Sequence, residues 1–150
     1  ALNTGLVVPG DCIVIRYEGP VGGPGMREML TITNVMRALG LSSSVSLITD
    51  GRFSGGSVGG VIGHVAPEAA VGGLIALVED GDIIEYSIPN GTIELKVSDE
   101  VIAKRRERWQ PPKPRRIRGV LAKYAQMAAS PIEGARMIPD AERKYREPLK

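Results

Sequence analysis

Apolar residues along the chain come in short runs that two glycine-rich loops separate, a pattern typical of strands and helices in mixed order. Residues 12–17 follow a Pro-Gly-Asp turn and predict a strand, and residues 45–49 predict a second, buried strand. Between these strands, apolar positions at helical spacing predict a helix over residues 27–39, which Gly40 ends. The first third of the chain therefore predicts alternating strand and helix.

The rest of the chain predicts a hairpin followed by two helices. Residues 61–70 are ambiguous, and residues 74–78 predict a strand. Residues 83–88 and 92–97 predict two paired strands. A helix is predicted from a Ser98 cap to Trp109, and a shorter helix is predicted at 120–129, after a Pro-rich break at 110–114. Pro67 suits a first helical turn, and Asn90-Gly91 predicts a type I′ turn in the hairpin. Because hairpin strands are antiparallel, we expect an α/β fold with a mixed, β-barrel-like sheet flanked by helices.

The charge of the chain is unevenly distributed although its net value is only +2. Residues 1–97 hold 5 Lys/Arg against 10 Asp/Glu, a net −5, and residues 98–150 hold 14 against 7, a net +7. Acidic residues are interleaved with the basic ones and aromatics are few, so we expect no nucleic-acid partner. We interpret residues 1–130 as one domain and residues 131–150 as a charged, flexible tail, with the basic part wrapping a partner domain.

Cys12 is the only cysteine of the chain. One thiol cannot form an internal disulfide, nor hold an iron–sulfur cluster that takes about four ligands, so Cys12 is interpreted as a small buried hydrophobe. No apolar run approaches the roughly 20 residues of a membrane helix, and residues 1–10 do not match a signal peptide. We expect a cytoplasmic protein, or an organellar one in a eukaryote. The chain lacks a starting Met, so we expect it to be processed or part of a longer polypeptide.

The glycine-rich loops at 19–26 and 51–60 are the unusual feature of the sequence, since each follows a predicted strand. Glycines let backbone N–H groups approach an anion closely. Neither loop matches a P-loop or a dinucleotide fingerprint, and the residues before Ser54 do not match a nucleophile elbow. A triad of Ser54, His64 and Asp50 can be drawn, but the sequence gives it no geometric support.

Composition and spacing alone favour an ordinary structural role for every polar residue near these loops. On those grounds the interpretations are a turn residue for Ser54, a helix-start surface acid for Glu28, a strand-end cap for Asp50, a core residue for His64, and surface charges for Arg27 and Arg52.

Two longer strings change this interpretation, because they resemble signatures of the dihydroxy-acid dehydratases. They are RYEGPVGGPGMREML at 16–30 and LITDGRFSGG at 47–56. Further stretches also resemble the family: GHVAPEA at 63–69, the segment 72–82, and RGVLAKY at 118–124. The resemblance extends from about residue 7 to about residue 130.

The resemblance implies an enzyme that removes water from 2,3-dihydroxy carboxylic acids to give 2-oxo acids in branched-chain amino-acid biosynthesis. Related dehydratases act on sugar acids, including 6-phosphogluconate, and are expected to differ around 23–27, where this chain looks like the branched-chain enzyme. A sugar-acid dehydratase and a non-catalytic anion-binding module remain the alternatives.

The resemblance also implies that this chain is only the carboxy-terminal domain, similar to the swivelling domain of aconitase-type dehydratases. An amino-terminal domain outside these 150 residues is expected to supply the cysteines of an iron–sulfur cluster and a magnesium site with an aspartate and a carboxylated lysine. We therefore expect that domain, a small dihydroxy acid and, in the full enzyme, a second copy as partners. Alone, the chain is expected to be inactive.

Two residues carry over from the resemblance by position. Glu28 matches the carboxylate that this domain contributes to Mg²⁺, and Ser54 matches the proposed base. The glycines expected to bind substrate or an anion are Gly22, Gly23, Gly25, Gly55 and Gly56.

Overall fold

The computed structural model describes residues 2–116 and 118–138, which form small sheets surrounded by helices. The strands are β1 (Cys12–Ile15), β2 (Ser46–Thr49), β3 (Val61–Ile62), β4 (Ile84–Ser87) and β5 (Thr92–Leu95). The α-helices are α1 (Leu30–Ala38), α2 (Asp99–Arg108) and α3 (Gly119–Met127), and 3₁₀ turns lie at Leu2–Thr4, Ala69–Val71, Leu74–Leu77 and Pro131–Glu133. The α/β class predicted from the sequence is confirmed.

The strands form two separate sheets. Strands β1, β2 and β3 are parallel and lie in that order, with Ile13 opposite Leu47 and Ile48 opposite Ile62. Strands β4 and β5 form an antiparallel pair, attached to the parallel sheet through the Tyr86 hydroxyl, 2.7 Å from Ser46 Oγ. Within the described ranges no mixed sheet and no closed barrel forms, because three short parallel strands are too few to close and no backbone ladder joins the hairpin to them.

Strand β2 is the central strand of the parallel sheet, and apolar side chains cover both of its faces. Leu47 packs with Met29, Met36 and Val45 on one side of the sheet, and Ile48 packs on the other side with Ala69, Ile75 and Ala76. Successive side chains of a strand point to opposite faces, so one apolar run supplies both clusters. Cys12 packs against the second cluster, but it is half-buried rather than buried as predicted, and this partial burial raises the pKa of its thiol.

Helix α1 begins at Leu30, three residues later than predicted. The helix starts later because of a tertiary contact. Glu28 pairs with Arg52 in a parallel bridge, and the Met29 N–H donates to the Arg52 carbonyl at 3.1 Å. The backbone at 28–29 is thus engaged with another loop and becomes helical only beyond it.

The predicted strand at 74–78 is wrong, since Leu74–Leu77 is a 3₁₀ helix. An apolar run of this length has no periodicity that separates a strand from a buried helical turn. Its carbonyls are used by a side chain: the Arg16 guanidinium donates to the carbonyl oxygens of Ala76 and Val78, both at 2.7 Å. Arg16 thereby satisfies these carbonyl oxygens without a β ladder.

The hairpin is present, but its turn is not the predicted type I′. Residues 88–91 form a four-residue loop in which the Gly91 N–H donates to the Ile88 carbonyl at 3.2 Å. Gly91 has a positive φ of 62°, whereas Asn90 does not, and a type I′ turn requires both.

Helix α2 begins after Ser98 as predicted, although the Ser98 side chain makes no capping hydrogen bond. Arg105 anchors the helix: its guanidinium donates to both carboxylate oxygens of Asp82, at 2.5 and 2.9 Å, and to the Leu77 carbonyl at 3.0 Å. The hydrogen bond from Arg105 lowers the pKa of the Asp82 carboxyl.

The chain folds back after α3. The Ala129 N–H donates to the Arg136 carbonyl at 2.8 Å, and the Ile138 N–H donates to the Met127 carbonyl at 2.7 Å, with the Ile138 side chain buried. The predicted domain end at residue 130 falls within this segment, and the rest of the predicted tail, 139–150, lies outside the described residues.

Candidate active site

The two glycine-rich loops meet at the carboxyl ends of β1 and β2. Their contact is the bridge between Glu28 and Arg52, which places the backbone of the first loop beside the second, two residues before Ser54. Strands β1 and β2 are parallel, so the loops that follow them leave the same edge of the sheet. The two loops therefore converge on one edge, where binding and catalytic residues are commonly found on loops held by a rigid sheet.

The Arg52 side chain strengthens this contact. Its Nε donates to the Met26 carbonyl and its Nη2 to the Gly25 carbonyl at 3.3 Å. Arg52 is exposed, as composition alone predicts, and it also crosslinks the loops through both its backbone and its side chain.

Asp50 is completely buried at the base of both loops. Its Oδ2 accepts hydrogen bonds from the N–H groups of Tyr17 at 3.0 Å and Ala69 at 2.9 Å, and its Oδ1 accepts from the Glu18 N–H at 2.9 Å. Tyr17 has a positive φ of 66°, which is unusual for a residue with a side chain. Two successive N–H groups in such a conformation form a concave anion site, and the Asp50 carboxylate occupies it.

A second buried carboxylate, Glu68, binds the next turn of the same loop. It is 4% exposed, and its two oxygens accept from the N–H groups of Val21 at 2.8 Å and Gly22 at 2.9 Å. A Cβ at position 19 would lie 2.5 Å from Glu68 Oε2, so the close approach requires Gly19.

Glu18 extends this arrangement toward the later part of the chain. Its Oε1 lies 2.6 Å from Arg115 Nη1, while its Oε2 is buried and has no hydrogen-bond partner among the described residues. A Cβ at position 23 would lie 2.7 Å from that Oε2, so Gly23 permits the contact. The segment after α2 is thereby attached to the first glycine-rich loop.

The candidate site residues differ in their surroundings. Ser54 is half-buried, and its carbonyl accepts from the Ser57 N–H at 3.1 Å. Glu28 and Arg27 are exposed, and in the described part of the chain the Glu28 carboxylate forms no hydrogen bond or ion pair. His64 is exposed rather than in the core, and its backbone N–H donates to the Gly51 carbonyl at 2.8 Å, which brings a third segment to the second loop.

The five glycines also divide into two groups. The Gly22 N–H donates to Glu68, and the Gly23 N–H donates to the Gly19 carbonyl at 2.8 Å, so both are engaged inside the protein. Gly25, Gly55 and Gly56 are exposed. These three are the ones that retain open space for a ligand.

A separate cavity of about 500 Å³ lies on another side of the first loop, between the Pro-rich segment and α3. Tyr17, Val21, Pro112 and Ala125 are among its lining residues, and neither Glu28 nor Ser54 is. The candidate chemistry thus lies on an open edge rather than in this cavity.

Sequence reasoning missed the two buried carboxylate anchors. The sequence predicts a strand-end cap for Asp50 and gives no separate role to Glu68. A signal was present for each, since Asp50 is a single acid directly after a buried strand and Glu68 is a single acid directly before a pair of alanines. An acid in such a position is buried only when hydrogen bonds satisfy it.

Two features are absent from the part of the chain that the structure describes. No helix there is long and apolar enough to cross a membrane. Among the same residues, no group of three or more His, Cys, Asp or Glu side chains could hold a metal ion.

Comparison with known proteins identifies the family. A family model described as dihydroxy-acid/6-phosphogluconate dehydratase C-terminal matches residues 1–135. The chain is 60% identical over 135 residues to the dihydroxy-acid dehydratase of Agathobacter rectalis, and 61% identical over the same length to those of Thermosynechococcus vestitus and Syntrophotalea carbinolica. Each match covers 90% of this chain and 24% of the relative, so the chain spans about a quarter of the length of these relatives. The chain belongs to the dihydroxy-acid/6-phosphogluconate dehydratase C-terminal family.

Proposed function

We propose that this chain is the carboxy-terminal half-site of a dihydroxy-acid dehydratase, a hydro-lyase that converts 2,3-dihydroxy carboxylic acids to 2-oxo acids in branched-chain amino-acid biosynthesis. The names of relatives about 60% identical to it support this reaction. The observation that carries the proposal is the pairing of Glu28 with Arg52, which joins the loop of the proposed metal ligand to the loop of the proposed base.

Ser54 is the base in this proposal: its Oγ takes the proton from C2 of the substrate. That proton is weakly acidic, so the base must be strong, and an alkoxide needs nearby N–H groups or cations to form near neutral pH. The exposed backbone of Gly55 and Gly56 follows Ser54 directly. Loss of the C2 proton and of the 3-hydroxyl gives water and an enol, which tautomerises to the 2-oxo acid.

Glu28 fits the role of one magnesium ligand. Its carboxylate is exposed and unpaired among the described residues, and Mg²⁺ prefers oxygen ligands in an octahedral shell. When bound, the ion supplies stabilisation of negative charge on the substrate carboxylate and 2-hydroxyl. The remaining ligands would come from substrate, water and the rest of the longer protein.

An iron–sulfur cluster does not fit the residues of this chain. The single cysteine, Cys12, packs against the apolar side chains of Ile48 and Ala69. An iron–sulfur cluster takes about four ligands. Removal of the 3-hydroxyl is therefore assigned to groups outside this chain, and no residue here is given that role.

The full protein would add an amino-terminal dehydratase domain as the main partner. We further propose that the chain acts as its swivelling domain, that the complete enzyme is a homodimer, and that it is located in the cytoplasm, or in an organelle of a eukaryote. The share of the relatives that the chain covers, 24%, supports a large additional segment.

The test is substrate preference of the full-length protein that contains this chain, with its metal content restored. We expect turnover of 2,3-dihydroxy-3-methylbutanoate in preference to 6-phosphogluconate and other aldonates. The reverse preference would assign the protein to the sugar-acid branch, which the family description includes. Absence of turnover on either class would instead favour an anion-binding module.

A further inference from the structure

The first glycine-rich loop is attached to the protein by two buried carboxylates rather than by a regular backbone ladder. Asp50 binds the N–H groups of Tyr17 and Glu18, and Glu68 binds those of Val21 and Gly22. Four backbone N–H groups within six consecutive residues thus end on two acidic side chains. The loop conformation therefore depends on those side chains directly.

Asp50 connects three parts of the site at once. It follows β2 and lies four positions before Ser54, its Oδ1 and Oδ2 bind the start of the loop that leads to Glu28, and its Oδ2 also binds the Ala69 N–H. A shift of this carboxylate would therefore move the base of the Glu28 loop relative to the Ser54 loop.

The conformation that Asp50 stabilises is one the chain would not adopt unaided. Tyr17 has a φ of 66°, a region that residues with a side chain rarely occupy unless their surroundings enforce it. The two hydrogen bonds to the N–H groups of residues 17 and 18 supply that enforcement. Such conformations occur at sites where a specific loop geometry is required.

We propose that Asp50 and Glu68 are positioning residues, which hold the loop carrying Glu28 in register with the loop carrying Ser54. This inference rests on the proposed function, because the register matters for turnover only if both loops contribute to one site. Neither side chain touches the substrate in this proposal; each acts through the backbone N–H groups that it binds.

The competing explanation is that these carboxylates only stabilise the fold. Asp82 is the matched control, because it is also a largely buried carboxylate that accepts hydrogen bonds, from Arg105 and from the Glu79 N–H, and it lies away from both glycine-rich loops. Asp82→Asn should lower the melting temperature and leave the kinetics of the full-length protein unchanged.

The kinetic test uses Asp50→Asn and Glu68→Gln in the full-length protein, with activity titrated against Mg²⁺. Each amide keeps the size of the acid but presents an NH₂ group to a backbone N–H, so one or more hydrogen bonds are lost. Misplacement of a catalytic group by about 1 Å can cost about 10²-fold in rate. We expect kcat to fall at least about tenfold and the Mg²⁺ concentration for half-maximal activity to rise, with KM changed less than kcat. Kinetics like those of Asp82→Asn would overturn the proposal.

Amide hydrogen exchange of peptides covering residues 16–30 gives a readout that does not need activity. We expect faster exchange in Asp50→Asn and Glu68→Gln than in the parent and in Asp82→Asn. If the parent lacks dehydratase activity, the proposed function fails. Separately, unchanged exchange of these peptides in Asp50→Asn and Glu68→Gln would refute the attachment of the loop by the two carboxylates. If Asp50→Asn does not fold, Glu68→Gln decides, because its amide oxygen still accepts one of the two hydrogen bonds.

Discussion

Replacement of Ser54 by alanine tests whether its hydroxyl is catalytic or only shapes a turn. The two quantities that decide are the change in the free energy of unfolding and the change in turnover rate. In the part of the chain that the structure describes, Ser54 Oγ forms no hydrogen bond, and the loop contact at this position is made by the backbone carbonyl to the Ser57 N–H. Removing the hydroxyl therefore leaves that contact in place. We expect the free energy of unfolding to change by well under about 1 kcal/mol.

The expected kinetic effect is far larger. Loss of a general base lowers the rate by about 10²–10⁴, which corresponds to about 2.7–5.4 kcal/mol in the activation free energy. If the serine only shapes the turn, its replacement would leave the rate and the activation free energy nearly unchanged. The ratio of the kinetic to the thermodynamic effect thus decides between the two roles.

The assay is the dehydration rate of the full-length Ser54→Ala variant, together with exchange of the C2 proton for deuterium in D₂O. Both should collapse while metal content, substrate affinity and melting temperature remain. Ser57→Ala is the control within the same loop and should turn over normally. Ser54→Cys should retain part of the rate, because a thiolate forms easily but is a weaker base.

Turnover of Ser54→Ala within a few-fold of the parent would refute the assignment. The next residue to test would then be His64, whose side chain is exposed and whose backbone N–H donates to the Gly51 carbonyl.

Three further predictions concern the metal, the isolated chain and pH. Glu28→Gln in the full-length protein should weaken the Mg²⁺ dependence and lower turnover together, by at least about tenfold, and an unchanged Mg²⁺ titration would remove Glu28 from the site. The isolated chain should be folded, colourless and inactive, and visible absorption from a bound cluster after anaerobic reconstitution would contradict this. Arg105 lowers the pKa of Asp82 in the folded protein. The contribution of Asp82 to stability should therefore be complete above the pKa of an unfolded aspartate, about 3.9, and should be lost as pH falls through the lower pKa of the folded state. The stability difference between the parent and Asp82→Asn should therefore shrink below about pH 4 in acid unfolding, and a constant difference down to pH 2 would argue against the interaction.

The strands and helices that depend on local apolar runs were predictable, whereas features set by distant contacts were not. Strand β2 and helix α2 lie within the predicted segments, because burial and helical spacing are visible over a few residues. The start of α1 was missed because Arg52 engages residues 28–29 from a different loop. The 3₁₀ turn at Leu74–Leu77 was missed because Arg16, about 60 residues earlier in the chain, binds its carbonyls.

The same division applies to the candidate site. That the two glycine-rich loops would converge was predictable from their positions after neighbouring strands. The role of Asp50 was not, since its carboxylate binds N–H groups 32 and 33 residues earlier, and those of Glu68 are 46 and 47 residues earlier. Side chains that bind a distant backbone leave no periodic pattern in the sequence.

The bridge between Glu28 and Arg52 limits how this loop can evolve. Adding or deleting one residue between Met26 and Glu28 would place a different residue opposite Arg52, whose side chain also binds the Met26 carbonyl, so the bridge to Glu28 and that hydrogen bond would no longer fit together. Substitutions leave this spacing unchanged, so dehydratases that accept different hydroxy acids should differ by substitution in the residues before Met26 and keep the spacing from 26 to 28 free of insertions and deletions.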